Sequence, residues 1–328
     1  MRLLKLVPDD TNIRFLRWRN MAVILSIIVI AAAIALTVMR GLNFGVDFVG
    51  GQMIQATFTQ HEDAPVVELR DEIENLGFEG ASIQRFGDPN QVSIRLRVTE
   101  DGTDNPEAAS AASTQITNMI ESEYPGARID SVDSVSGKVS NELYSAGAWA
   151  LGLAMLAIAI YIWIRFEWQF GVGALFALIH DVALTFGFFS LTQLEFNLNI
   201  VAALLTIIGY SLNDTIVIFD RVRENLRKYR KMEIVPLLDL SVNETLPRTV
   251  MTSLTMVVAL TALIFAGPDV IFGFTAAMLF GVIVGTYSSV YIANPVLIWL
   301  RVGPDSFVPA EVGPGGGERV THREGYGG

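Results

Sequence analysis

The sequence predicts an α-helical membrane protein: six transmembrane helices, with a ferredoxin-like α+β domain between the first and second spans. Three observations predict it. Of the 328 residues 51% are hydrophobic and only 17% are charged, which is too apolar for an ordinary soluble domain. Apolar runs of about 20 residues, the length that crosses a bilayer, recur along the chain. Between the first two runs lies a long polar stretch whose periodicity switches in the order β-α-β-β-α-β.

Residues 1–20 form a basic segment with Arg2, Lys5, Arg14, Arg17 and Arg19. The apolar run Met21 to Met39 follows. It exceeds the h-region of a secretory signal and lacks a small-residue cleavage site after it, so it reads as a retained first span (21–39) rather than a cleaved leader. The positive flank places its start in the cytoplasm.

Residues 40–143 then lie outside, as a periplasmic α+β domain. They hold 7 Lys/Arg against 18 Asp/Glu, a balance of −11 that equals the net charge of the chain. An acidic domain on a neutral membrane part argues against nucleic acid as a partner. Gly45 to Phe58 alternates as a strand after its glycines, and Pro65 to Leu76 has helical spacing. Ala81 to Phe86 and Gln91 to Val98 alternate on either side of the turn signal Gly87-Asp88-Pro89-Asn90. Asn105 to Tyr124 reads as a second helix and Ala127 to Val139 as a last strand. Gly41, Gly45, Gly50 and Gly51 suit close packing or a bend beside the membrane, with Asp47 as a cap of that junction.

A five-helix bundle (144–300) completes the membrane part. Its spans are Tyr144 to Ile164, Phe170 to Ser190, Ile200 to Phe219, Met251 to Ala266, and a sixth from about Ile271 to Leu300. Residues 220–250 form the main inside loop, rich in Arg and Lys, and both termini fall in the cytoplasm. The basic face Arg221 to Lys231 suits either the acidic membrane lipid surface, a cytoplasmic partner or plain solvent. Gly281 and Gly285 carry the spacing that permits close helix contact. Asn294-Pro295 kinks or ends the sixth helix. The tail 301–328 is Gly/Pro-rich and reads as disordered.

Chemistry concentrates in Gly209 to Asn225, GYSLNDTIVIFDRVREN. Asp214 lies inside the fourth apolar run, where a carboxylate costs about 2.5–3.5 kcal/mol and marks a functional site by default. Asn213 and Ser211 are candidates to hydrogen-bond it or to line a wet path. Arg248 stands where Pro247 suggests a helix start, and a long side chain could reach Asp214, about 8 Å deep at 1.5 Å per residue. Two plainer readings stay open: Asp214 as assembly glue between helices, and Arg248 snorkelling to the interface. His180 and Asp181 sit mid-span in the third helix and, being adjacent, point to different parts of it, one toward the bundle and the other toward a neighbouring subunit. Each is a relay candidate or a satisfied packing residue. There is no cysteine, no metal-ligand spacing and no Walker loop, so no cofactor and no enzymatic activity are expected.

The segments GLNFGVDFVGG, IHDVALTFGFFS, VAALLTIIGYSLNDTIVIFDRVRENLRK and NETLPRTVMTSLT resemble the SecF family, the smaller membrane subunit of the bacterial SecD–SecF complex. The resemblance runs from the first span to the sixth. It implies a bundle related to resistance–nodulation–division exporters in the bacterial inner membrane, paired with SecD. It also implies assistance to protein translocation through the SecYEG channel, driven by the proton motive force after the motor SecA has acted on the unfolded polypeptide. The family's intramembrane Asp and Arg fall on Asp214 and Arg248, with the proton as coupling ion. A non-conducting scaffold that assembles SecD with the translocon is the alternative.

Overall fold

The computed structural model describes residue 8 and residues 11–78, 81–85, 88–96 and 106–303. A 3-10 turn, Phe15–Trp18, leads into α1 (Arg19–Arg40). The domain that follows contains α2 (Val46–Val49), β1 (Gly51–Phe58), α3 (Val66–Asn75), β2 (Ser82–Arg85), β3 (Gln91–Leu96), α4 (Pro106–Glu123) and β4 (Ala127–Val135). The membrane part consists of α5 (Gly137–Arg165), α6 (Trp168–Thr192), α7 (Leu198–Lys228), α8 (Ile234–Ala266), α9 (Phe272–Ser288) and α10 (Asn294–Trp299). A π turn, Ser289–Ala293, joins α9 to α10. Counting α9 to α10 as one, six helices among the described residues are long and apolar enough to cross a bilayer.

The four strands form one antiparallel sheet in the order β2-β3-β1-β4. This is the ferredoxin-like arrangement that the alternation pattern predicts. Ile54 of the central strand faces Ile94 on one side and Val132 on the other. Ile54, Ala56, Phe58, Val92 and Ile94 join Leu69 and Ile73 of α3 and Ile116 and Ile120 of α4 in one buried cluster. Burying each such aliphatic side chain contributes about 1.5–3 kcal/mol, so this domain carries its own core.

In the bundle α6, α7 and α9 are central, while α1, α5 and α8 turn most of their surface outward. Small residues set the central spacing. A Cβ at Gly281 would overlap the Ile207 side chain, and one at Gly285 would lie 3.0 Å from Ser211 Cβ. The Gly281/Gly285 pair is thus the contact of α9 with α7, as its spacing predicts. Domain and bundle are tied at one junction. Gly50 and Gly51 take φ of 74° and 107°, the left-handed region where glycine is favoured. A Cβ at Gly50 would come within 3.2 Å of Gly137 Cα at the start of α5. Phe44 bridges to Phe196, and Asp47 Oδ2 accepts from the Leu198 N–H at 2.8 Å. Asp47 thus caps this junction by holding the Leu198 N–H at the start of α7.

Several boundaries differ from the sequence reading. The inside loop 220–250 is mostly helix: α7 continues to Lys228 and α8 starts at Ile234, running through Pro247. Charged residues there mark helices that outlast the bilayer, not a loop. The described part of the basic N-terminal segment packs on the bundle. Leu16 is buried in the bundle core and its N–H donates to Asp239 Oδ1, while Ile13 and Asn243 exchange two hydrogen bonds. The last strand ends at Val135, because Ser136 caps α5 by accepting from Val139 N–H. The expected strand ends at Phe86 and Val98, the helix start at Asn105 and the tail 304–328 lie outside the described residues.

Candidate functional site

Asp214 is 7% exposed and sits where α7, α8 and the π turn meet. Its Oδ1 accepts from Thr249 Oγ1 of α8 at 2.5 Å, and its Oδ2 accepts from Ser289 Oγ at 2.6 Å. Both donors are neutral hydroxyls. Among the described residues no ion pair within 4.0 Å engages this carboxyl. Arg248, one residue before Thr249, is exposed on the bundle surface and acts on Asp214 only through its charge. The direct Asp214–Arg248 pair envisaged from the sequence is thus replaced by two hydroxyls. The physical reason is the unbroken helix through Pro247. It turns Thr249 inward, and a neighbour one position earlier on a helix points about 100° away.

Two other supporting residues fall differently from expectation. Asn213 is exposed and makes no hydrogen bond to Asp214. Ser211 is fully buried but donates to Asp181 Oδ2, at 2.5 Å, instead of to Asp214. His180 and Asp181 do not face different subunits. They are 2% and 0% exposed and bond each other, Nδ1 to Oδ1, at 2.8 Å. Ser288 completes the set by donating to Asp181 Oδ2 at 2.8 Å. Two buried carboxyls therefore occupy the centre of the bundle, each ringed by hydroxyls.

Local sequence explains how α9 serves both. Gly285 lets α9 approach Ser211 closely, which brings the next turn, Ser288 and Ser289, against α6 and α7. The π turn begins at Ser289, and such turns recur at functional sites. Pro295 has no N–H to give to the turn before it. Asn294, fully buried, supplies donors instead: its Nδ2 reaches the Ser289 and Val290 carbonyls at 2.9 and 3.3 Å. Asn294-Pro295 thus widens the sixth span by one π turn, and the helix continues. A hydroxyl chain extends the site outward, with Tyr210 Oη donating to Ser253 Oγ at 3.0 Å and Ser253 lying 2.8 Å from Thr286 Oγ1. Sequence reasoning missed Thr249, Ser288, Ser289, Ser253 and Thr286. Serine and threonine within apolar helices bond so readily to their own backbone that nothing in the pattern marks these.

At the basic end the face Arg221 to Lys231 is partly spoken for. Arg221 pairs with Glu224 and Glu244 at 2.6 and 2.7 Å, and Arg223 pairs with Glu167 at 3.0 Å. Asn225, 1% exposed, ties α7 to Ser241 and Glu244 of α8.

Comparison with known proteins identifies the family. The family model described as protein export membrane protein SecD/SecF, C-terminal, matches residues 115–303, and the SecD/SecF GG motif matches residues 35–60, which contain the Gly50–Gly51 bend. Protein translocase subunit SecF of Rhodobacter capsulatus is 44% identical over 90% of this chain and 91% of its own length. That of Pseudomonas aeruginosa is 39% identical over 92% and 95%. The crystal structure of SecDF, a translocon-associated membrane protein from Thermus thermophilus, superposes with a TM-score of 0.80 at 31% identity. It covers 89% of this chain, which spans 39% of that longer chain. With a family model along more than half of its length and relatives of this identity along nine-tenths of it, the chain is a multi-pass membrane protein that belongs to the SecF family.

Proposed function

We propose that this protein works with SecD in the bacterial inner membrane, using the proton motive force to assist protein translocation through the SecYEG channel after the SecA-driven step. Both termini would be cytoplasmic, and the sheet-bearing domain (40–143) would meet the periplasm. The proton is the coupling ion, no other cofactor takes part, and the chain is not an enzyme. One observation supports this above all: a buried acid, Asp214, is held by two neutral hydroxyls, with the Arg248 charge nearby and exposed.

The hydroxyl geometry suits a proton-dependent change. Ser289 Oγ lies 2.6 Å from Asp214 Oδ2 and 3.0 Å from the Thr286 carbonyl. It has one hydrogen, so it serves one acceptor strongly. Protonation of Asp214 removes the better acceptor and favours the backbone alternative, which alters the contact of α9 with α7. A proton shifts such an equilibrium only by its differential affinity for the two packings. The domain, tied to α7 through Asp47 and to α5 through Gly50, would follow.

The test uses membranes containing SecD, the channel and Asp214→Asn. Export after the ATP-dependent step is expected to lose its response to the proton gradient, with proton flux in reconstituted vesicles lost alongside. A gradient response as large as wild type would sink the proposal. The scaffold reading rests on the same buried hydroxyl contacts, taken as glue. It expects co-purification with SecD and export to fall in step, whereas the proposal expects intact co-purification.

A further inference from the structure

Asp181 and His180 are unused by that mechanism, and their placement is costly. Asp181 is fully buried and has three donors within hydrogen-bond distance: His180 Nδ1 at 2.8 Å, Ser211 Oγ at 2.5 Å and Ser288 Oγ at 2.8 Å. No Lys or Arg pairs with it among the described residues. His180 Nε2 is buried without a hydrogen-bond partner among them. A packing role would need neither an acid nor an imidazole here, since a buried polar pair is often no more stabilising than apolar residues of similar volume.

The two carboxyls are also mechanically joined. Ser211 and Asp214 lie one turn apart on the same face of α7. Ser288 and Ser289 are consecutive, one bonding Asp181 and the other Asp214, at the entry to the π turn. Each serine also reaches a backbone carbonyl three residues back: Ser288 to Gly285 at 3.2 Å, and Ser289 to Thr286 at 3.0 Å. A change at either acid is therefore felt by the same short segment.

We propose that His180 and Asp181 form a second proton-accepting station of the bundle, coupled to Asp214 through Ser288 and Ser289. The inference rests on the proton-driven reading above and deepens it. A proton arriving at His180 Nε2 makes the imidazolium. The proton on Nδ1 then passes to Asp181 Oδ1, leaving a neutral imidazole protonated on Nε2 and a neutral acid. Ser288 loses its charged acceptor and turns toward the Gly285 carbonyl. Among the described residues the titratable groups that face the pair are Tyr287 of α9, its ring 6.0 Å from His180, then Tyr291 of the π turn, its ring tilted against Tyr287 at 5.2 Å, and Asp214 of α7 beyond the serines. The face of α1 in this region offers the Ser26 hydroxyl, bonded to Tyr287 Oη at 3.0 Å.

The experiment uses the complex with SecD in vesicles, reading proton flux against pH, and infrared difference spectra of protonated carboxyls on the same samples. His180→Gln keeps a hydrogen-bonding side chain of similar length but cannot titrate. It is expected to remove one inflection from the flux–pH curve and to shift the Asp181 carboxyl band. Asp181→Asn is expected to abolish that band and to depress flux, with co-purification of SecD unchanged. Should Asp181→Asn fail to assemble, His180→Gln decides alone. A His180→Gln curve and spectrum identical to wild type overturns the proposal. So does the absence, at every pH, of any carboxyl band that Asp181→Asn removes. Should Asp214→Asn leave flux intact while the Asp181 band still titrates with His180, the parent reading falls and the second station stands.

Discussion

Asp214 was legible in the sequence because an acid inside an apolar run has few ways to be satisfied. Its actual partners were not, because hydroxyls at Thr249 and Ser289 look like any other small residues of a transmembrane helix. Arg248 was the more conspicuous neighbour and proved to be the outward one. Glycine positions show the same asymmetry. Gly187 carries no pattern, yet a Cβ there would overlap Ala33 Cβ and lie 2.9 Å from its Cα, on the backbone of α1. Gly187→Ala must push α1 off α6, and overpacking of this kind destabilises by about 1–3 kcal/mol. The unfolding midpoint of the purified protein in detergent should fall, and an unchanged midpoint would show that α1 yields freely. Asp47 permits a gentler test. Asp47→Ala removes the cap at Leu198 and should cost about 0.5–2 kcal/mol, whereas Asp47→Asn should retain most of it.

At the level of elements, the β-α-β-β-α-β order could be read from alternation and turn residues, since each strand buries one face against α3 or α4. The reach of α7 and α8 beyond the bilayer could not, because a charged helix and a charged loop share a composition. Nor did the sequence single out the α6–α7 linker, which packs against the domain. Its Glu195 is half-buried against Gly45. Burial holds its carboxyl above the ordinary value of 4.5; the Arg95 charge opposes this, and Asp47 and Asp133 add to it. The folded protein thus holds this proton more tightly than the unfolded chain. The associated stability is fully present below the ordinary value and is lost as pH rises through the folded one. Acidification from neutral pH should therefore raise the unfolding midpoint through this residue. Glu195→Gln should raise the midpoint at neutral pH and flatten its pH dependence, the advantage vanishing as pH falls toward 4.5. A variant with the wild-type slope would remove Glu195 from the account.

At the scale of the whole molecule the two carboxyls are held from within, while the outer surface is of two kinds. Its central helices, α6, α7 and α9, with α8 and the π turn, supply the hydrogen bonds to both buried carboxyls. The outer surface of α1 is what lipid requires, with Ile24, Leu25, Ile27 and Ile28 all exposed. The surface beside Asp214 is different: Asn213 of α7 and Arg248 of α8 are both exposed there. An exposed guanidinium near the depth of a buried acid is costly against hydrocarbon and is far better met by a polar protein surface. That edge is where a SecD subunit is expected to dock. The chain has no cysteine, so Asn213→Cys creates a unique thiol without background. In membranes lacking SecD the thiol should react with a lipophilic maleimide. With SecD co-expressed it should be protected, and oxidation should trap it to cysteines placed along one SecD helix. Equal labelling in the two membranes would mean that Asn213 and Arg248 face lipid even in the assembled state, and the partner surface would then have to lie elsewhere on the bundle.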